Sequence, residues 1–148
     1  MTTLVHATCV AFRLRGRSWR AALLRGPSGA GKSDLALRLL EQGARLVADD
    51  QTALVRLGKS VVASAPARIA GLIEARGVGI VKLARDQLVA RAPVVLLVDL
   101  ALPERIERLP ETAQESLLGV ALPVLVLAPF EASASAKLRL ALTRITVA

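Results

Sequence analysis

Residues 26–33 read GPSGAGKS, a complete GxxxxGKS loop set between an apolar run at 21–24 and an amphipathic stretch that begins near Lys32. A strand running into such a loop, and the loop into a helix, can point successive backbone N–H groups into one concavity only if no side chain obstructs it. Glycine at Gly26, Gly29 and Gly31 meets that condition. The helix that follows adds the positive end of its dipole. Lys32 supplies a point charge for the outer phosphates, and the Ser33 hydroxyl is suited to Mg2+. Pro27, Ser28 and Ala30 complete the expected nucleotide-binding segment. The stretch predicts an α/β domain with a phosphate site at the strand–helix junction, and nucleoside-triphosphate chemistry follows as the leading function. The alternative is a glycine-rich turn whose lysine is merely solvated.

Upstream of the loop, residues 6–14 and 19–24 read as two strands joined by Arg15, Gly16, Arg17 and Ser18, a hairpin that feeds the loop directly. Downstream, Leu35, Ala36, Leu39 and Leu40 give an apolar helical face that Gly43 terminates. A short strand at 45–48 then delivers Asp49 and Asp50 to its carboxyl end, where ligands collect in open α/β sheets. Residues 52–57 and 60–64 form a second hairpin pattern around Gly58 and Lys59. Pro66 opens a helical or turn segment through Ile73, and Gly77 and Gly79 precede a strand at 80–83. Residues 94–100 make the clearest buried strand, 103–115 read as a loop with at most a short helix, 123–127 as a further strand, and 132–145 as a C-terminal helix.

The 148 residues suit one domain, and 53% apolar composition suits burial on both faces of a sheet. Twenty Lys and Arg against twelve Asp and Glu give a net charge of +8, which attracts an acidic protein face or nucleic acid alike. Phe12, Trp19 and Phe130 are the whole aromatic set, so stacking platforms for single strands are nearly absent. The basic residues are scattered, and no zinc-finger spacing or basic helical run is present; nucleic acid is not an expected partner. A lone Cys9 excludes an internal disulfide and reads as a small strand residue rather than a nucleophile. No apolar run has the length of a membrane span, and no signal-type segment opens the chain, so the expectation is a cytoplasmic protein without membrane attachment.

The carboxylates Asp49 and Asp50 would face opposite sides of an ideal strand, but a turn at the strand end can bring both near a phosphate. One can then accept the proton of an attacking hydroxyl while the other helps place Mg2+, its waters or the acceptor. A solvated turn is the other reading. Asp99 competes for the metal-orienting role, because it ends a buried apolar strand in the manner of many phosphate-loop NTPases. Pattern alone leaves the choice between Asp99 and the Asp49–Asp50 pair open.

His6, GPSGAGKS at 26–33, LVADD at 46–50 and LIEARGVGI at 72–80 together resemble the bacterial HPr kinase/phosphorylase family, from about His6 to Ala141. The ordered combination of loop, AspAsp and GluXArgGlyXGly is more specific than a phosphate loop alone. The resemblance implies a single phosphate-loop NTPase-like α/β domain related to the phosphoenolpyruvate carboxykinase nucleotide-binding fold, spanning 1–148 as the catalytic domain without the separate N-terminal domain of longer members. It implies assembly as a homo-oligomer, a hexamer. The implied reaction is ATP- and Mg2+-dependent phosphorylation of a serine of the small phosphocarrier HPr or an HPr paralogue, with phosphate as co-substrate of the reverse, phosphorylase reaction. A small-molecule kinase and a non-catalytic nucleotide-dependent interaction module are the alternatives.

Carried over by residue, Lys32 would contact the transferring phosphate and Ser33 would bind Mg2+. Asp49 would be the acid/base residue, Asp50 would support metal or substrate placement, and Glu74 would join the metal side. Arg76 would stabilise phosphate charge or hold the carboxylates. His6 matches a position near the active centre, or is a polar strand-end residue. Toward the C-terminus the chain departs from the PVRPGRN-like element of long members. Residues 122–142 read LPVLVLAPFEASASAKLRLAL and resemble the short proteobacterial branch, in which efficient phosphorylase activity and the usual metabolite regulation are not implied.

Overall fold

The computed structural model describes residues 1–13 and 16–145. The strand end and turn expected around Leu14 and Arg15 fall on residues outside that set. In chain order the elements are β1 (Thr3–Val5), β2 (Ala7–Arg13), β3 (Trp19–Arg25), α1 (Lys32–Glu41), β4 (Arg45–Ala48), β5 (Thr52–Leu57), β6 (Ser60–Ser64), β7 (Leu72–Ala75), β8 (Gly79–Lys82), β9 (Arg91–Leu100), β10 (Ala113–Leu117), β11 (Val120–Leu127) and α2 (Ala134–Arg144). None of the described helices is long and apolar enough to cross a membrane.

Nine of the strands form one mixed sheet, and β7 and β8 form a separate hairpin. Strand β9 organises the large sheet. Along one edge it runs parallel to β3, from Ala21↔Val94 to Arg25↔Asp99. Its other edge is shared: Arg91, Ala92 and Pro93 pair antiparallel with β6, while Leu97 to Leu100 pair in parallel with β11. The sheet therefore forks at β9 into a β6–β5–β1 arm and a β11–β10 arm.

Side chains alternate across β2 and β3, and both sets are apolar because both faces are covered. Val10, Phe12, Ala22 and Leu24 pack under Leu35, Ala36 and Leu39 of α1 and under Leu138 and Leu142 of α2. Cys9, Ala11, Ala21 and Leu23 face the opposite way and pack with Leu54 of β5 and Val61 and Ala63 of β6. The burial on both faces expected from composition is thus achieved with helices on one side and the β5–β6 arm on the other.

Three strands were not expected from the sequence. Only a 3₁₀ turn, Ala67–Ile69, occupies the segment read as helical or turn through Ile73; Leu72–Ala75 is instead a strand, which closes onto β8 around Gly77 and Val78. Strand β10 replaces the end of the loop expected over 103–115. Its residues are mostly exposed, and it is held by pairing with β11 rather than by burial. Strand β1 adds to the edge of β5.

The topology positions the site. Strand β2 is antiparallel to both β3 and β4, so β3 and β4 run in the same direction and end at the same side of the molecule. The loop after β3, the aspartates after β4 and the beginning of β2 consequently share one rim of the sheet.

Candidate active site

The loop over 26–31 leaves β3 and turns through two left-handed glycines, Gly29 at φ 84° and Gly31 at φ 100°. Ala30 N–H donates to the Pro27 carbonyl at 3.0 Å, and Leu35 N–H to the Gly31 carbonyl at 2.9 Å, which starts α1 directly behind the loop. The free N–H groups of a helix's first turn then point at the space in front of the loop. Lys32 is 5% exposed. Its ammonium donates to the Gly26 and Pro27 carbonyls at 2.7 and 3.0 Å, which pins it across the loop and leaves one of its three protons for another acceptor.

The two aspartates part company. Asp49 is 7% exposed and accepts three hydrogen bonds: Ser33 Oγ at 2.6 Å and Thr8 Oγ1 at 2.9 Å on Oδ1, and the Glu74 backbone N–H at 2.9 Å on Oδ2. Asp50 follows in a left-handed backbone conformation, φ 67°, which breaks strand alternation and turns its side chain outward. That side chain is 64% exposed and meets His6 Nε2 at 2.8 Å through Oδ1. The Asp50 N–H also donates to Thr8 Oγ1, so Thr8 bridges the two residues. Thr8 escaped the sequence reading because its role depends on β2 lying between β3 and β4, which no local pattern announces.

In front of these groups lies a cleft of about 380 Å³ onto which Lys32, Ser33, Asp50, Glu74, Arg76 and Phe130 all open. Glu74 and Arg76 reach it because Ile73 and Ala75 occupy the alternate, buried positions of the β7 strand. The expected metal set of Ser33, Asp50 and Glu74 is therefore present around one space, but the hydrogen-bonded partner of Ser33 is Asp49 rather than Asp50. Among the described residues no three His, Cys, Asp or Glu side chains converge into a metal cage.

A second wall was also missed. After β11 the chain carries Pro129 and Phe130 over the loop, and a Cβ at Gly31 would stand 2.8 Å from the Phe130 ring. Arg38 of α1 holds this segment by donating to the Pro129 and Glu131 carbonyls while pairing with Asp34 at 3.1 Å. Beyond Phe130 an apolar hollow of about 520 Å³, bordered by Pro27, Ala30, Leu102 and Pro103, adjoins the cleft.

Asp99 is elsewhere. Both its oxygens are taken by Arg25, Nε at 2.7 Å and Nη2 at 3.0 Å, and Arg25 also donates to Glu115 at 2.9 Å. The two carboxylates raise the Arg25 pKa further, and hydrogen bonding to Arg25 holds the Glu115 carboxyl below its ordinary range. This is an ion-pair staple between β3, β9 and β10, and Asp99 does not line the cleft. Cys9 is fully buried, and burial pushes its thiol up, away from the thiolate a nucleophile requires.

Comparison with known proteins accords with this geometry. Residues 3–136 match the family described as the HPr Serine kinase C-terminal domain. An HPr kinase/phosphorylase of Prosthecochloris aestuarii is 37% identical over 115 residues, covering 71% of this chain and 34% of that protein. One from a Geobacillus species is 42% identical over 83 residues, covering 55% and 25%. A third, from an Exiguobacterium species, is 48% identical over 60 residues, covering 40% and 19%. The chain thus matches between about a fifth and a third of the length of these curated relatives. Among solved structures, the Hpr(Ser) kinase/phosphatase from Coxiella burnetii superposes with a TM-score of 0.81 at 24% identity, covering 95% of this chain and 94% of that one. At that identity the likeness establishes the mixed α/β fold.

Proposed function

The chain belongs to the HPr serine kinase C-terminal domain family, and from that premise we propose that it is an ATP- and Mg2+-dependent kinase acting on a serine of HPr or an HPr paralogue. Phosphate-dependent removal of the seryl phosphate, with release of pyrophosphate, is its second reaction. The observation that carries the reading is the single cleft onto which the phosphate-loop residues Lys32 and Ser33 and the exposed carboxylate of Asp50 open together. The strand–loop–helix unit, with β3, β9 and β11 parallel behind it, supports a phosphate-loop domain of the phosphoenolpyruvate carboxykinase type.

ATP would lay its phosphates against the N–H groups of Gly29, Gly31 and the first turn of α1, with the third Lys32 proton on an outer phosphate. The hollow beyond Phe130 suits the nucleoside end, since it is apolar and adjoins the cleft. The donors around Ser33 are hydroxyl and carboxylate oxygens, and their small number suits Mg2+, which keeps waters and phosphate oxygens as its remaining ligands. Ser33 and Glu74 are the residues that would hold it, and Asp49 fixes the Ser33 hydroxyl. Bound Mg2+ would supply charge neutralisation on the phosphates.

The acid/base role expected for Asp49 moves to Asp50 in this proposal. Asp49 is buried with both oxygens already accepting hydrogen bonds, whereas Asp50 keeps one oxygen free at the cleft and is oriented by His6 through the other. As the serine Oγ forms its bond to the γ-phosphorus and the bond to the bridging oxygen breaks, the serine proton passes to Asp50 and ADP leaves. In the phosphorylase reaction an oxygen of inorganic phosphate bonds to the seryl phosphorus as its bond to the serine Oγ breaks, Asp50 returns the proton to that Oγ, and pyrophosphate leaves. Arg76 balances charge on the transferring group.

The test is incubation with labelled ATP and purified HPr, followed by mapping of the modified residue, with Lys32→Ala as control. Serine-specific label that disappears in a folded Lys32→Ala chain is the expected result. Nucleotide binding with no label in HPr would instead leave a nucleotide-dependent interaction module.

A further inference from the structure

Phe130 borders both the phosphate cleft and the apolar hollow beside it. It is 69% exposed, so burial does not fix where its ring lies. The backbone beneath it does. The chain is anchored on one side by buried Leu127 and Ala128 at the end of β11 and on the other by buried Ala134 and Ser135 at the start of α2. Between these anchors Pro129 has no N–H to give, and its carbonyl accepts from Arg38 Nη2, while Arg38 Nη1 reaches the Glu131 carbonyl at 3.4 Å. The two carbonyls that flank Phe130 are thus tied to one guanidinium.

Arg38 is itself held on α1 by Asp34, one turn earlier, at 3.1 Å. Because α1 starts at the phosphate loop, this clamp sets the ring's position relative to the loop, and the ring lies against Gly31. The guanidinium holds both carbonyls even though its Nε is buried without a partner, and an unsatisfied buried donor lowers stability. Its placement is explained by what it positions. We propose that Arg38 is a positioning residue for the nucleoside end of the nucleotide: by clamping Pro129 and Glu131 it keeps the Phe130 ring beside the phosphate loop as the wall on which the nucleobase rests. Every base has a π-face that stacks on an aromatic ring, so this contact distinguishes a nucleotide from a bare polyphosphate without choosing among bases. Arg38 does not line the cleft or the hollow and acts only through Phe130.

The inference rests on the reading of cleft and hollow as a nucleotide site. Mg–ATP and Mg–tripolyphosphate, which lacks the nucleoside, are titrated calorimetrically into the full chain and into its Arg38→Met, Phe130→Ala and doubly substituted variants. Arg38→Met should weaken ATP binding about tenfold, the range for lost charge-assisted hydrogen bonds, and leave tripolyphosphate binding within about twofold. Phe130→Ala should show the same ATP-selective loss. The double variant should lose no more than the larger single loss, because the two residues act as one unit. If Arg38→Met does not fold, Arg38→Lys takes its place: its ammonium lacks the planar fork and should give the same selectivity at smaller size. Equal losses for ATP and tripolyphosphate, additive losses in the double variant, or unchanged ATP affinity without the arginine each overturn the inference and leave the nucleotide reading standing. A parent chain that does not bind Mg–ATP overturns that reading and the inference with it.

Discussion

Asp49 and Asp50 are chemically identical neighbours in different surroundings, one buried with both oxygens hydrogen-bonded and the other exposed at the cleft. The pair was legible in the sequence as an acidic strand end beside a phosphate loop; its division was not, because strand alternation is broken by the left-handed backbone at Asp50 and the third participant, Thr8, comes from another strand. Asp50→Asn should preserve folding and Mg–ATP affinity while lowering HPr phosphorylation by about 100-fold or more, the range for loss of a general base. Asp49→Asn replaces an acceptor of three hydrogen bonds, so it should weaken Mg-dependent nucleotide binding and cost stability as well as turnover. Asp99→Asn breaks the Arg25 contact and should reduce stability with the smallest effect on chemistry. Nucleotide titration, turnover and denaturant midpoint measured on all three variants separate these outcomes; near-parent turnover for Asp50→Asn would return the base role to Asp49. The conformation of Asp50 carries its own consequence. Left-handed backbone costs a non-glycine residue roughly 1 kcal/mol, less for Asp than for most, so Asp50→Gly should be no less stable than the parent while lacking the carboxylate.

Among the elements, those with strong apolar patterning were readable: β9, the β5–β6 pair around Gly58, the four-residue β4, and α1 with Leu35, Ala36 and Leu39 on one face. Strand β10 was not, because Gln114, Glu115 and Ser116 are exposed and carry no alternation; the element exists only as a partner of β11. Beyond that pairing, the Arg25–Glu115 contact ties it to β3. Because Arg25 depresses the folded-state pKa of Glu115 below its ordinary value of 4.5, the contribution of this pair is complete above that value and is lost as the pH falls through the lower folded value. Glu115 is nearly half exposed, so the effect is small and salt-sensitive. Glu115→Gln should therefore lower the denaturant midpoint slightly at neutral pH and low salt, and the difference should vanish in acid and in high salt.

For the whole molecule, the family resemblance implies a hexamer, and we propose that the +8 chain offers arginines between subunits and to an acidic face of HPr. A mass measurement at working concentration checks this: a monomer with full HPr kinase activity would remove the case for obligatory assembly. The forked strand β9 bears on a different matter, the order in which the chain becomes competent during synthesis. Arg25, where the phosphate loop begins, meets its parallel neighbour only at Asp99, and β6 and β11 also await the same strand. At about 5–20 residues per second, the ribosome delivers that neighbour several seconds after the loop itself. Until then the apolar edge of β3 is unpaired and the loop has no rigid support. A chain ending before Arg91, the first residue of β9, should accordingly lack cooperative unfolding and Mg–ATP binding although it contains the entire GPSGAGKS motif and both aspartates. Long-range pairing of this kind also slows folding toward the millisecond-to-second range. The nascent protein thus passes through a period in which it carries the whole phosphate-binding signature and no enzyme, and in that interval its exposed strand edge is the part that needs protection.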